Sequence, residues 1–157
     1  MPKLTIELVP RTTWYANVRN LVTYSQWEKI KRQTRQKAGS VCEICGGVGD
    51  RWPVECHEVW QYDDETHVQK LTGFVALCPM CHMVKHFGHT ALIGQTQAAT
   101  EHLAAVNDWD AQTTQEYITA AYAEWQRRSC YDWQLDLSWL TKNFGIEIAL
   151  DTLRRLL

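Results

Sequence analysis

The sequence predicts an α+β fold in which two β-rich segments and a following helix are tied together by a metal, with one helix before them and more after. Three observations carry this. Four cysteines fall into two Cys-x-x-Cys pairs, Cys42 with Cys45 and Cys78 with Cys81. Between the pairs lie two runs rich in β-formers, "VECHEVW" from Val54 and "GFVALC" from Gly73. The second pair opens "CPMCHMVKHFG", where Pro79 suits a first helical turn and Met80, Val84 and Phe87 recur at helical spacing.

A chain of 157 residues accommodates one domain with terminal extensions. Its 45% apolar content and 22% charge are those of an ordinary globular protein, which argues against disorder. The opening "MPKLTIELVP" lacks the unbroken apolar run of a secretory signal, and no later stretch approaches a spanning helix. These features predict a cytoplasmic protein with no membrane association.

In chain order, alternating Leu4, Ile6 and Leu8 predict a short strand ending at Pro10. "SQWE" has the form of a capping box, with Ser25 and Glu28 satisfying each other's backbone, so a helix is expected from there to Ala38 with Gly39 as its left-handed stop. This helix is basic. Residues 1–40 hold eight bases against two acids in a chain whose net charge is −2. Lys29, Lys31, Arg32, Arg35 and Lys37 are therefore either phosphate-binding residues or a solvated helix face.

After the second cysteine pair the helix should end at Gly88, with His82 and His86 one turn apart on the face opposite the apolar stripe. Ala99, Leu103 and Val106 predict one further helix, and Tyr117, Ala121 and Trp125 another after the capping box "TTQE". "YDWQLDL" reads as a strand and the terminal "IALDTLRRLL" as a short amphipathic helix. The expected organisation is residues 1–40 as an N-terminal strand and basic helix, 41–89 as the zinc-bound core, and 90–157 as a mainly helical C-terminal extension.

Two knuckles of this spacing can complete a tetrahedral Zn²⁺ shell, and a reducing cytosol disfavours disulfides, so Cys42, Cys45, Cys78 and Cys81 are read as structural zinc ligands. Cys130 is read as a small buried hydrophobe, the commonest state of a free cysteine.

The order of knuckle, histidine-bearing strand, connector, second strand, knuckle and helix opening "CPMCHMVKH" resembles the HNH endonucleases, the zinc-stapled branch of the ββα-metal nucleases. The resemblance covers residues 42–89. It implies a ββα-metal core, His57 as general base, and His82 and His86 as ligands of a second divalent ion, Mg²⁺, Mn²⁺, Ni²⁺ or Zn²⁺. Two family positions differ: Cys56 stands where the family has an aspartate ligand, and Gly73 where it has an asparagine. Glu55 shares the strand face of His57 by parity and would supply a carboxylate, while Asp63, Asp64 and Glu65 read as a solvated turn.

The implied activity is metal-dependent hydrolysis of DNA, with RNA as a further candidate substrate, and with Lys85 and the bases between Lys29 and Lys37 near phosphate. The alternative is an inactive HNH-like zinc module that binds nucleic acid, or a protein partner through the C-terminal extension. Taken singly, His57 could also be a strand residue bonded to its neighbours, and His82 a residue packed beside the knuckle.

Overall fold

The computed structural model describes residues 1–149. Its centre is an antiparallel hairpin of β1 (Glu55–Asp63) and β2 (Val68–Leu77), with Glu55 opposite Leu77, His57 opposite Val75 and Asp63 opposite Val68. The two β-rich runs thus extend further than the sequence predicts, and what was expected as a connector is a tight turn. The register shifts where Val59 faces Gly73 and Trp60 faces Leu71, leaving Thr72 as the extra residue of a bulge. A one-residue slip moves later side chains to the other face, and Leu71 accordingly joins Phe74 in one cluster. A short β3 (Gln134–Asp136) lies parallel to β2, the surviving part of the strand expected in "YDWQLDL".

Each face of the sheet carries its own core. On one, Val75 and Leu77 meet Val84 of α3 (Pro79–Lys85), Phe87 of α4 (Phe87–Leu92), Ala99 and Leu103 of α5 (Thr96–Asn107) and Ile118 of α6 (Ala111–Arg128). Buried Cys42, Cys78 and Cys81 belong to this same cluster, so the C-terminal helices pack directly around the cysteine centre. On the other face, Trp60, Leu71 and Phe74 meet Val18 of α1 (Val18–Leu21), Ile30 of α2 (Tyr24–Lys37) and Leu140 of α7 (Ser138–Phe144). Cys56 points to this second face and His57 to the first, as strand alternation requires.

Several expectations are corrected. Residues 4–8 do not form a strand. Their alternation is real, since Leu4 and Ile6 are buried, but their backbone donors are taken by side chains and helix rather than by a neighbouring strand. Leu4 N–H donates to Asn107 Oδ1, Ile6 N–H to Tyr117 Oη and Glu7 N–H to the Lys85 carbonyl.

The cap of α2 is Thr23, not Ser25: Thr23 Oγ1 accepts from Gln26 N–H and the Gln26 side chain accepts from Thr23 N–H, an arrangement worth about 1 kcal/mol. Asp110 rather than "TTQE" caps α6, accepting from Thr113 N–H at 2.7 Å. Gly88 does not end a helix. The break falls at His86 (φ −91°, ψ 44°), and Gly88 lies inside α4, where a Cβ would come within 3.3 Å of Leu8 Cδ2. The helix expected in "IALDTLRRLL" falls mostly on residues 150–157, outside the described residues. Among the described residues, no helix is long and apolar enough to cross a membrane.

Candidate metal centre

The first knuckle is held against the sheet by residue 43. Glu43 N–H donates to the Ala76 carbonyl at 2.9 Å, and the Glu43 carboxylate accepts from Ala76 N–H at 2.7 Å. This places Cys42 and Cys45 beside the end of β2, where Cys78 caps α3. Gly46, at φ +74°, makes the turn that closes the knuckle. The sulfurs accept backbone hydrogen bonds: Cys45 N–H to Cys42 Sγ, Gly47 N–H to Cys45 Sγ and Cys81 N–H to Cys78 Sγ, at 3.4 to 3.5 Å.

All four sulfurs lie within 4.8 Å of one another and none is paired covalently. Cys45 Sγ and Cys78 Sγ are 3.6 Å apart, close to the edge of about 3.8 Å expected for a tetrahedron with 2.3 Å metal–sulfur bonds. The set could hold one metal ion. Burial alone would raise the Cys42 thiol, but backbone donors around it bring it down to about 7, while burial and the neighbouring sulfurs push Cys81 up. The ring of His102, on α5, sits with Nε2 at 3.2 Å from Cys81 Sγ. No local pattern singles out this histidine, because its partner lies on a different helix.

A second group forms across the hairpin and α3. One nitrogen from each of His57, His82 and His86 lies within 4.8 Å of the others, and the ring centroids are 4.6 to 5.3 Å apart. The sequence-predicted His57, His82, His86 and Glu55 are therefore brought together. Glu55 Oε2 contacts His82 Nδ1, which leaves His82 Nε2 free. His57 is 4% exposed and its Nε2 lies 2.7 Å from Glu7 Oε2. Its Nδ1 is buried with no hydrogen-bond partner. Three clustered imidazoles, one of them with a buried nitrogen that has no partner among the described residues, are a donor set that suits a transition metal. Glu7, like His102, was not singled out from sequence; it lies at the polar position of an apolar alternation, and nothing local to it signals a partner 50 residues away.

Burial of the ring, then the neighbouring imidazoles, pulls His86 down from 6.5 to about 3, although the residue as a whole is exposed; His82 is lowered for the same reasons, with Glu55 opposing. Folding thus favours the neutral rings. The unfolded chain binds more protons below pH 6.5, so the stability these groups contribute is complete above about pH 6.5 and drains away as pH falls toward the folded values. An NMR titration of the metal-free protein from pH 8 to 5 should leave the His86 ring mainly neutral and place the His82 midpoint below 6.5. Midpoints near 6.5 for both would contradict the arrangement.

The other predicted residues divide. Lys85 is not near any open surface: it is 6% exposed, and its Nζ donates to Thr5 Oγ1 at 2.7 Å and to Glu7 Oε1 at 2.8 Å. A phosphate-facing role for it is corrected to a buried ion pair. Lys31, Arg32 and Arg35 line a groove of about 870 Å³ together with Arg19, and the same groove reaches Glu55 and His82. Lys29 and Lys37 are exposed on α2 outside that lining, and Lys31 is partly engaged by Glu28 at 2.5 Å.

Cys56 also lines the groove. Its thiol lies 3.6 Å from Thr34 Oγ1, and burial pushes it up to about 11, so it is a protonated thiol held by α2. Asp63 accepts from its own turn, and Asp64 pairs with Arg127 and Arg128 of α6, at the end of the hairpin remote from the cysteines. Comparison with known proteins gives no match for this chain among protein-family models, curated proteins or solved structures.

Proposed function

We propose that this protein is an HNH-type, metal-dependent endonuclease whose ββα core carries a structural zinc on Cys42, Cys45, Cys78 and Cys81 and a second divalent ion on His57, His82 and His86. The observation that carries this reading is the convergence of three imidazoles, from one strand and the helix behind it, beside a groove walled by arginines. The order of first knuckle, β1, β2 and second knuckle, with α3 starting from that knuckle, supports it.

Within this reading His57 is a third nitrogen donor rather than the general base that the family resemblance implies. At 4% exposure it offers no open path to a water and a substrate, whereas its ring, with Nδ1 buried and unpartnered among the described residues, lies within 5.3 Å, centroid to centroid, of the other two. An all-imidazole set favours Zn²⁺ or Ni²⁺ over Mg²⁺. When bound, such an ion supplies Lewis-acid stabilisation of charge on a phosphoryl oxygen and acidifies water. Glu55 orients His82 through Nδ1. Arg19, Arg32 and Arg35 bind the phosphate backbone along the groove, and exposed Trp52 on its rim gives a base a face to stack on.

A plasmid-nicking assay across Mg²⁺, Mn²⁺, Ni²⁺ and Zn²⁺ tests the reading. Nicking should occur in at least one transition metal and vanish in His57→Ala; no nicking in any metal, or equal nicking by both proteins, overturns it. In the same material, Arg32→Ala with Arg35→Ala should weaken DNA binding for all sequences and flatten the dependence of log affinity on log salt by roughly one to two units. An unchanged slope would remove the groove from the account.

One observation favours a second reading, a non-catalytic zinc module. The position of the family's aspartate is occupied by a protonated thiol turned toward Thr34, so the strand offers no carboxylate at that position. A protein that binds nucleic acid through the groove but holds one ion only would establish this reading instead.

A further inference from the structure

We infer that Glu7, from the extended N-terminal segment, is the positioning residue of the histidine centre: it holds the proton of His57 on Nε2 and thereby presents Nδ1 as the lone pair that completes the site. The inference rests on the proposed second-ion site and extends it to a segment that lies outside residues 42–89.

Glu7 uses its two carboxylate oxygens for two different buried groups. Oε2 lies 2.7 Å from His57 Nε2, and Oε1 accepts from Lys85 Nζ at 2.8 Å. A carboxylate flanked by a lysine only 6% exposed is an acceptor, so the imidazole nitrogen facing it must carry hydrogen. In a neutral ring the lone pair then belongs to the other nitrogen. That nitrogen is the buried Nδ1, which has no hydrogen-bond partner among the described residues, on a ring whose centroid lies 5.3 Å from that of His82 and 4.9 Å from that of His86. The carboxylate itself is fixed from behind: Glu7 N–H donates to the Lys85 carbonyl at 3.1 Å, and Lys85 Nζ also donates to Thr5 Oγ1.

The result is a carboxylate–histidine pair of the kind that fixes tautomer and ring orientation at metal sites, built alongside the Glu55–His82 pair. Both imidazoles are oriented by a glutamate. Glu55 comes from the same hairpin, and Glu7 from a segment that docks on α3, α5 and α6.

Two double variants isolate the role, because both remove the lysine charge that would otherwise be stranded. Glu7→Gln with Lys85→Met keeps an oxygen acceptor for His57 Nε2–H; Glu7→Leu with Lys85→Met keeps bulk and loses the acceptor. Nitrogen-15 NMR of the metal-free histidines should report the Nε2–H tautomer of His57 in the wild type and in the glutamine variant. Affinity for Co²⁺ at the second site should be near wild type in the glutamine variant. In the leucine variant it should fall by about 10- to 100-fold, with the cysteine-bound ion retained as the indicator of folding.

Wild-type His57 protonated on Nδ1 overturns the inference without any variant, and so does a folded leucine variant with unchanged tautomer and Co²⁺ affinity. A wild type that shows the Nε2–H tautomer but binds no second ion overturns the metal reading, and leaves the hold of Glu7 on the ring standing.

Discussion

Cys81→Ser is expected to leave the protein without a cooperative fold at 37 °C. Cys81 is fully buried, its sulfur is one corner of the four-sulfur set, and the hydrophobic cluster that includes Leu77, Val84, Ala99 and Leu103 is assembled around it. A structural zinc site contributes roughly 10 to 16 kcal/mol of apparent binding free energy, comparable to or larger than the 5 to 15 kcal/mol by which a whole domain is stable. Serine is a poor ligand for a soft, thiolate-bound ion, and its hydroxyl would be left in an apolar surround beside His102. Strong chelation of the wild type should have the same consequence. Circular dichroism melts with and without chelator check both, and a melting temperature unmoved by either would show that the sulfurs hold nothing of structural weight.

The second large effect is expected at His82. Its removal takes away the imidazole that stands between Glu55 and the other two rings, and leaves the set with two nitrogens. His82→Ala should lose the second ion and reduce nicking on the order of 10³-fold, about 4 kcal/mol of transition-state stabilisation, while the cysteine-bound ion and the melting temperature change little. His82 keeps part of its surface in solvent, which is why its loss should weigh on chemistry more than on folding. Retained activity in this variant would separate the reaction from the imidazole set.

What was legible in the sequence follows from how far apart the cooperating residues lie. The cysteine pairs are local geometry twice over, since a Cys-x-x-Cys turn can present two sulfurs to one ion, and their joining needs only that the hairpin return. Once that staple is assumed, the meeting of His57 with His82 and His86 follows: β1 runs beside the end of β2, and α3 starts from the second knuckle. Glu55 could be placed by strand parity alone.

The residues that escaped are held by contacts with no periodic signature. Glu7 reaches His57 across 50 positions and His102 reaches Cys81 across 21, each from a segment whose sequence pattern specifies only which face is apolar. The same limit explains Leu4 and Ile6. Alternation encodes that they are buried, but not that side chains of α5 and α6, rather than a neighbouring strand, satisfy the backbone between them. The burial of Lys85 is hidden for a related reason. A lysine is ordinarily solvated, and the glutamate that allows its burial comes from outside the helix. The bulge at Thr72 is marked only by Gly73 beside it, yet it decides which core Leu71 enters.

The most direct measurement is an anomalous-scattering map of crystals grown with zinc and recorded on both sides of the zinc edge. Two zinc peaks are predicted, one enclosed by Cys42, Cys45, Cys78 and Cys81, the other between His57 Nδ1, His82 and His86. A single peak at the cysteines, with His57 Nδ1 turned to a protein or water partner, would contradict the two-centre account.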